Sequence, residues 1–102
     1  MIRPGIMTDE VFDICIKAIR REGIPHFNRG GIGHGIGCDV HEAPFFNKHE
    51  RMPIERGMVI NIETPYYEIG WGGIQLEDTL VVTDKGVEFL STLPVELKIL
   101  ED

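Results

Sequence analysis

A histidine set among glycines, Gly33-His34-Gly35-Ile36-Gly37, is followed seven residues later by a second in Val40-His41-Glu42. Two carboxylates come after them, Glu63 in Asn61-Ile62-Glu63 and Glu77 in Gln75-Leu76-Glu77-Asp78-Thr79. One imidazole with two carboxylates is a donor set suited to a divalent metal ion. An imidazole titrating near neutrality can also move protons at physiological pH. Glycines on either side of His34 let backbone or ligand come close and leave open space before the ring. Asp39 and Glu42 flank His41 as orienting groups, whereas His26 and His49 lack such surroundings and read as surface residues, with a place near the site as the alternative for His26. A lone strand glutamate is ordinarily a solvated side chain. Here Val59, Thr79 and Val81 share the glutamate faces, and Gly72-Gly73 precedes Glu77, which argues against a wholly polar surface.

The elements that must hold these residues follow from periodicity. Thr8 is a good N-cap, with Asp9 and Glu10 in the first turn, where the helix dipole favours negative charge. Phe12, Cys15, Ile16 and Ile19 recur at helical spacing, and Gly23 stops a helix expected over 8–22. Residues 24–37 are glycine-rich with short extended segments, and residues 43–57 read as an irregular loop because of Pro44, Asn47, Pro53 and Gly57. Strict alternation predicts strands over 58–63 and 74–83, with Glu63 and Glu77 on the faces opposite Ile60, Ile62, Leu80 and Val82. Asp84-Lys85-Gly86 is a turn into a strand over 87–90, and the tail from Pro94 to Asp102 is expected to form a short strand or helix. One helix followed by mostly antiparallel strands is an α+β arrangement.

Composition bounds the function. The 102 residues make one small domain, 42% hydrophobic, with a net charge of -7 that offers no basic stripe for nucleic acid. No apolar run is long enough to cross a bilayer, and two cysteines without CxxC spacing suit reduced thiols in the cytoplasm. Phe45, Phe46, Tyr66, Tyr67 and Trp71 are expected to pack loops rather than line a pocket.

The stretch 33–42, with Asn61-Ile62-Glu63, Gln75 to Thr79 and Val82-Thr83-Asp84-Lys85-Gly86, resembles the pita-bread metallopeptidases. That family holds methionine aminopeptidases, Xaa-Pro aminopeptidases and prolidases. The resemblance extends to Arg3-Pro4-Gly5 and the first helix, so it covers nearly the whole chain. It implies that the chain is half of a pita-bread fold, one helix on a curved, mostly antiparallel sheet. His34, Glu63 and Glu77 would be metal ligands, Glu77 the bridging one, holding two ions of Mn, Co, Fe or Zn in the complete domain. His41 would contact a peptide substrate and steady the tetrahedral intermediate, and Gln75 would lie at the substrate.

The same resemblance implies two aspartate ligands from an upstream half of the domain. Asp9 and Asp13, on the helix, do not fill those places. The 102 residues are therefore expected to be the C-terminal portion of a catalytic domain. Its partners would be a peptide, the missing half and, in its absence, a second copy of the chain, with little activity alone. Substrate cues diverge. Gly30 stands where proline-specific members have a histidine, and Gln75 matches the methionine aminopeptidases. Val40-His41-Glu42 and Glu77-Asp78-Thr79 match the Xaa-Pro side, while Thr64-Pro65 replaces the common Pro-Gly. The leading expectation is a metal-dependent exopeptidase of Xaa-Pro aminopeptidase or dipeptidase type. Methionine aminopeptidase specificity and a non-catalytic binding module are the alternatives.

Overall fold

The computed structural model describes residues 1–101. One helix, α1 (Thr8–Arg21), is followed by seven strands: β1 (Gly33–Gly35), β2 (Glu42–Phe45), β3 (Val59–Glu63), β4 (Tyr66–Glu68), β5 (Gly72–Ile74), β6 (Glu77–Thr83) and β7 (Gly86–Phe89). Five of them form an antiparallel sheet in the order β2-β1-β3-β6-β7, and β4 and β5 pair as a separate hairpin. The expected α+β arrangement is what the chain adopts.

Alternation assigns the two faces of the sheet. Ile60 pairs with Leu80, and both point into the core beside Val82. There they meet Val11, Phe12 and Ile16 of α1, together with Phe27, Ile32, Phe46 and Ile54 from the connections. Each such side chain contributes about 1.5–3 kcal/mol on burial. The intervening residues turn the other way. Asn61 pairs with Thr79 and Glu63 with Glu77, and on the other flank of β3 His34 pairs with Asn61. Paired residues share a face, so His34, Asn61, Glu63, Glu77 and Thr79 stand together on the side away from the core.

Several sequence expectations are corrected. Thr8 is not the N-cap: Met7 occupies that position, and its N–H donates to the Glu10 carboxylate. Thr8 is instead wholly buried, its hydroxyl donating to the Glu50 carbonyl and accepting from the Met52 N–H. The loop expected over 43–57 opens with β2, which contains Pro44; as an edge strand it tolerates a residue that cannot donate. The strand expected over 74–83 is broken at Gln75-Leu76, because Gly72–Ile74 turns back to pair with Tyr66–Glu68. From residue 90 to residue 101 the tail has neither strand nor helix; Asp102 lies outside the described residues. Among the described residues no helix is long and apolar enough to cross a membrane.

Candidate metal centre

The backbone geometry around His34 explains its glycines. A Cβ on Gly33 would overlap the Asn61 carbonyl, and one on Gly35 would overlap the Ala43 carbonyl. The flanking strands therefore approach β1 more closely than any side chain allows. The space is filled by backbone rather than left open: His34 is only 4% exposed, which corrects the expectation of an unpacked ring. The β1–β2 register jumps between His34, opposite Phe45, and Gly35, opposite Glu42. Such a bulge re-aims the side chain beside it.

The orientation of the ring is set by a single bond. His34 Nδ1 lies 2.9 Å from the Gly35 carbonyl oxygen, which can only accept, so Nδ1 carries the proton. In the neutral ring Nε2 then keeps its lone pair, and it faces Glu63 Oε1 at 3.8 Å. His41 stacks beside it, ring centroids 4.1 Å apart and tilted by 47°. One ligand atom each from His34, His41 and Glu63 lies within 4.8 Å of the others. The loop that delivers His41 is closed by Glu42, whose carboxylate accepts from the Asp39 N–H at 3.2 Å. Glu42 thus holds the loop rather than the His41 ring.

Glu77 stands outside that triple but is tied to it. It lies directly across the strand pair from Glu63, and Gln75 Nε2 donates to both, at 2.9 Å to Glu63 Oε2 and 3.2 Å to Glu77 Oε2. Asn61 Nδ2 donates to the other Glu77 oxygen at 2.7 Å. Like charges directly opposite on a strand pair repel. Only the Gln75 amide bridges these two, and His34 is the single basic side chain within ion-pair distance of either among the described residues. A site with an imidazole lone pair and two facing carboxylates fits a divalent cation by donor type and by charge.

Asn61 also borders the site, although its residue type and spacing do not single it out. It is 6% exposed, and its Oδ1 is buried without a partner. Its place on the polar side of β3 was legible, whereas its pairing with His34 depends on a register that sequence does not print. His26 and His49 stay outside the cluster. His26 Nε2 donates to the Tyr66 hydroxyl at 2.9 Å, and that hydroxyl donates to Glu68, which holds the Tyr66 phenol above its ordinary pKa. Of the aromatic residues, Phe46 is fully buried, whereas Tyr67 and Trp71 are more than half exposed.

Comparison with known proteins gives the family. Residues 1–84 match metallopeptidase family M24. An Xaa-Pro dipeptidase of Pyrococcus furiosus is 32% identical over 95 residues, 93% of this chain and 27% of the relative. The solved Xaa-Pro dipeptidase of Bacillus anthracis superposes with a TM-score of 0.89 at 33% identity, covering 97% of this chain and 28% of that one. A methionine aminopeptidase of Thermotoga maritima superposes less closely, with a TM-score of 0.67 at 26% identity over 88% of this chain and 44% of that one. The chain thus spans little more than a quarter of the length of the dipeptidases it matches. Its helix and antiparallel sheet have the pita-bread architecture of those enzymes, and the chain belongs to metallopeptidase family M24.

Proposed function

We propose that this chain is the C-terminal portion of a metallopeptidase catalytic domain, residues 1–102, which supplies part of the centre of an exopeptidase of Xaa-Pro dipeptidase or aminopeptidase type. The observation that carries this reading is the convergence of His34, His41 and Glu63 within 4.8 Å, with Glu77 joined through Gln75. His34 Nε2, Glu63 and Glu77 would hold the metal. M24 membership implies a divalent ion. Mn, Co, Fe or Zn, two ions in the complete domain, is our finer assignment. When bound, such ions polarise a scissile carbonyl and lower the pKa of a water.

The chain's own residues do the rest. The Gly35 carbonyl keeps the proton on His34 Nδ1 and so keeps Nε2 available as a ligand. Gln75 fixes the spacing of the two carboxylates. His41 is the exposed member of the triple, the one a peptide reaches, and we assign it as donor to the oxygen on which negative charge develops. Gln75, reached by the Tyr67 hydroxyl at 3.4 Å, faces the same peptide. The closer superposition on the Xaa-Pro dipeptidase supports that specificity over the methionine type, although Gln75 itself suits the latter.

An aspartate-bearing half of the same fold would complete the ligand set, so we expect the chain alone to bind metal weakly and to hydrolyse little. Two unpaired cysteines suit a cytoplasmic setting. Isothermal titration with Mn2+ tests the reading: binding weakened at least about tenfold by His34→Ala supports it, and identical isotherms for the chain and the variant count against it.

A further inference from the structure

On the ring of Tyr67, whose hydroxyl reaches Gln75, a second polar feature is left without a task. The Arg29 guanidinium lies over the Tyr67 ring, 5.7 Å from its centroid. Both residues line a groove of about 430 Å³ between the 26–29 segment and the β4 hairpin. The acidic group of this groove, Glu68, is engaged by the Tyr66 hydroxyl, which in turn accepts from His26. Among the described residues no carboxylate pairs with Arg29. Its Nε is closed off from solvent and has no hydrogen-bond acceptor. A buried donor without an acceptor is rare in folded proteins, and a planar guanidinium fork matches a carboxylate in shape as well as charge.

We infer that Arg29 binds the C-terminal carboxylate of a short peptide whose scissile bond lies at the Glu63–Glu77 carboxylates. The inference rests on the peptidase reading above and adds a specificity residue to it. Tyr67 connects the two places: its ring lies under Arg29 and its hydroxyl reaches Gln75, which holds both glutamates. A peptide laid from the carboxylates across Gln75 toward Tyr67 runs into the groove. Its terminal carboxylate then meets the one guanidinium there. The phenol of Tyr67, more than half exposed and held by one long hydrogen bond, yields to admit it.

The sole tryptophan, Trp71, reports on this groove, its ring 6.5 Å from that of Tyr66. Its fluorescence is followed while the chain is titrated with Ala-Pro and Ala-Pro-Ala, each as free acid and as C-terminal amide, with and without Mn2+. In at least one pair the acid should bind about tenfold more tightly than the amide. Arg29→Gln should abolish that preference and Arg29→Lys should keep part of it. Equal affinities of acid and amide for the unsubstituted chain, no binding of either, or an undiminished preference in Arg29→Gln would overturn the proposal. A preference for the acid that persists when binding proves indifferent to Mn2+ supports the role of Arg29 and counts only against the metal centre.

Discussion

At the scale of single residues the centre depends on side chains that fix one another before any ligand arrives. The Gly35 carbonyl selects the tautomer of His34, and Gln75 and Asn61 hold the carboxylates from outside. Groups in that outer position commonly change metal affinity by about 10–100-fold when removed. Asn61→Ala should therefore weaken Mn2+ binding by roughly that factor while His34 and Glu63 remain in place, as isothermal titration would show. Unchanged affinity would mean that the Asn61–Glu77 bond has no part in holding the site. The polar side of the sheet on which Glu63 and Glu77 stand was legible in the sequence because alternation marks it, and glycine spacing singled out His34; their metal role is our proposal. Asn61 was not singled out, since it acts through a hydrogen bond across strands. His41 was expected at the substrate, and its ring also stacks on His34, a contact set by the fold of the 36–41 loop.

The elements place these residues through register. A slip of one residue between β3 and β6 would send Glu63 or Glu77 into the core, so the aliphatic sets around Ile60 and Leu80 lock the carboxylates face to face. The alternation of β3 and β6 made this much readable from sequence. The break at Gln75-Leu76 was hidden, because alternation runs through it without interruption and only the hairpin pairing of Gly72–Ile74 with Tyr66–Glu68 reveals it. Pro44 concealed β2 for the opposite reason, an unfavourable residue at a tolerant edge. The start of α1 shows tertiary structure overriding a local signal. Thr8 has the type of a cap but spends its hydroxyl on Glu50 and Met52, stitching the loop before Pro53 to the helix. Thr8→Val keeps the shape and removes both bonds, leaving the part-buried Met52 N–H and Glu50 carbonyl short of partners. Urea unfolding should show a loss of about 1–3 kcal/mol. A loss near zero would indicate that water replaces the hydroxyl.

At the scale of the whole molecule the chain is small and acidic, with a net charge of -7, and it carries a series of exposed large apolar side chains. Leu93, Val95, Leu97, Ile99 and Leu100 all lie open along the tail, and Ile69 and Trp71 crown the β4–β5 loop. The tail alternates like a strand, which explains the expectation of one, yet among the described residues it pairs with no strand. Apolar surface of this kind marks interaction sites, and we expect the isolated chain to self-associate. Light scattering during size-exclusion chromatography at micromolar protein should give a dimeric mass, and a clean monomer would contradict this.

A metal centre on this face requires that the imidazole and the carboxylates grip one ion. X-ray absorption fine structure of the chain loaded with Zn2+ addresses this most directly. It should show an oxygen-rich shell with an imidazole nitrogen at about 2.0–2.1 Å that disappears in His34→Ala. A shell without imidazole, or one unchanged by that substitution, would contradict the assignment of this face as a metal centre.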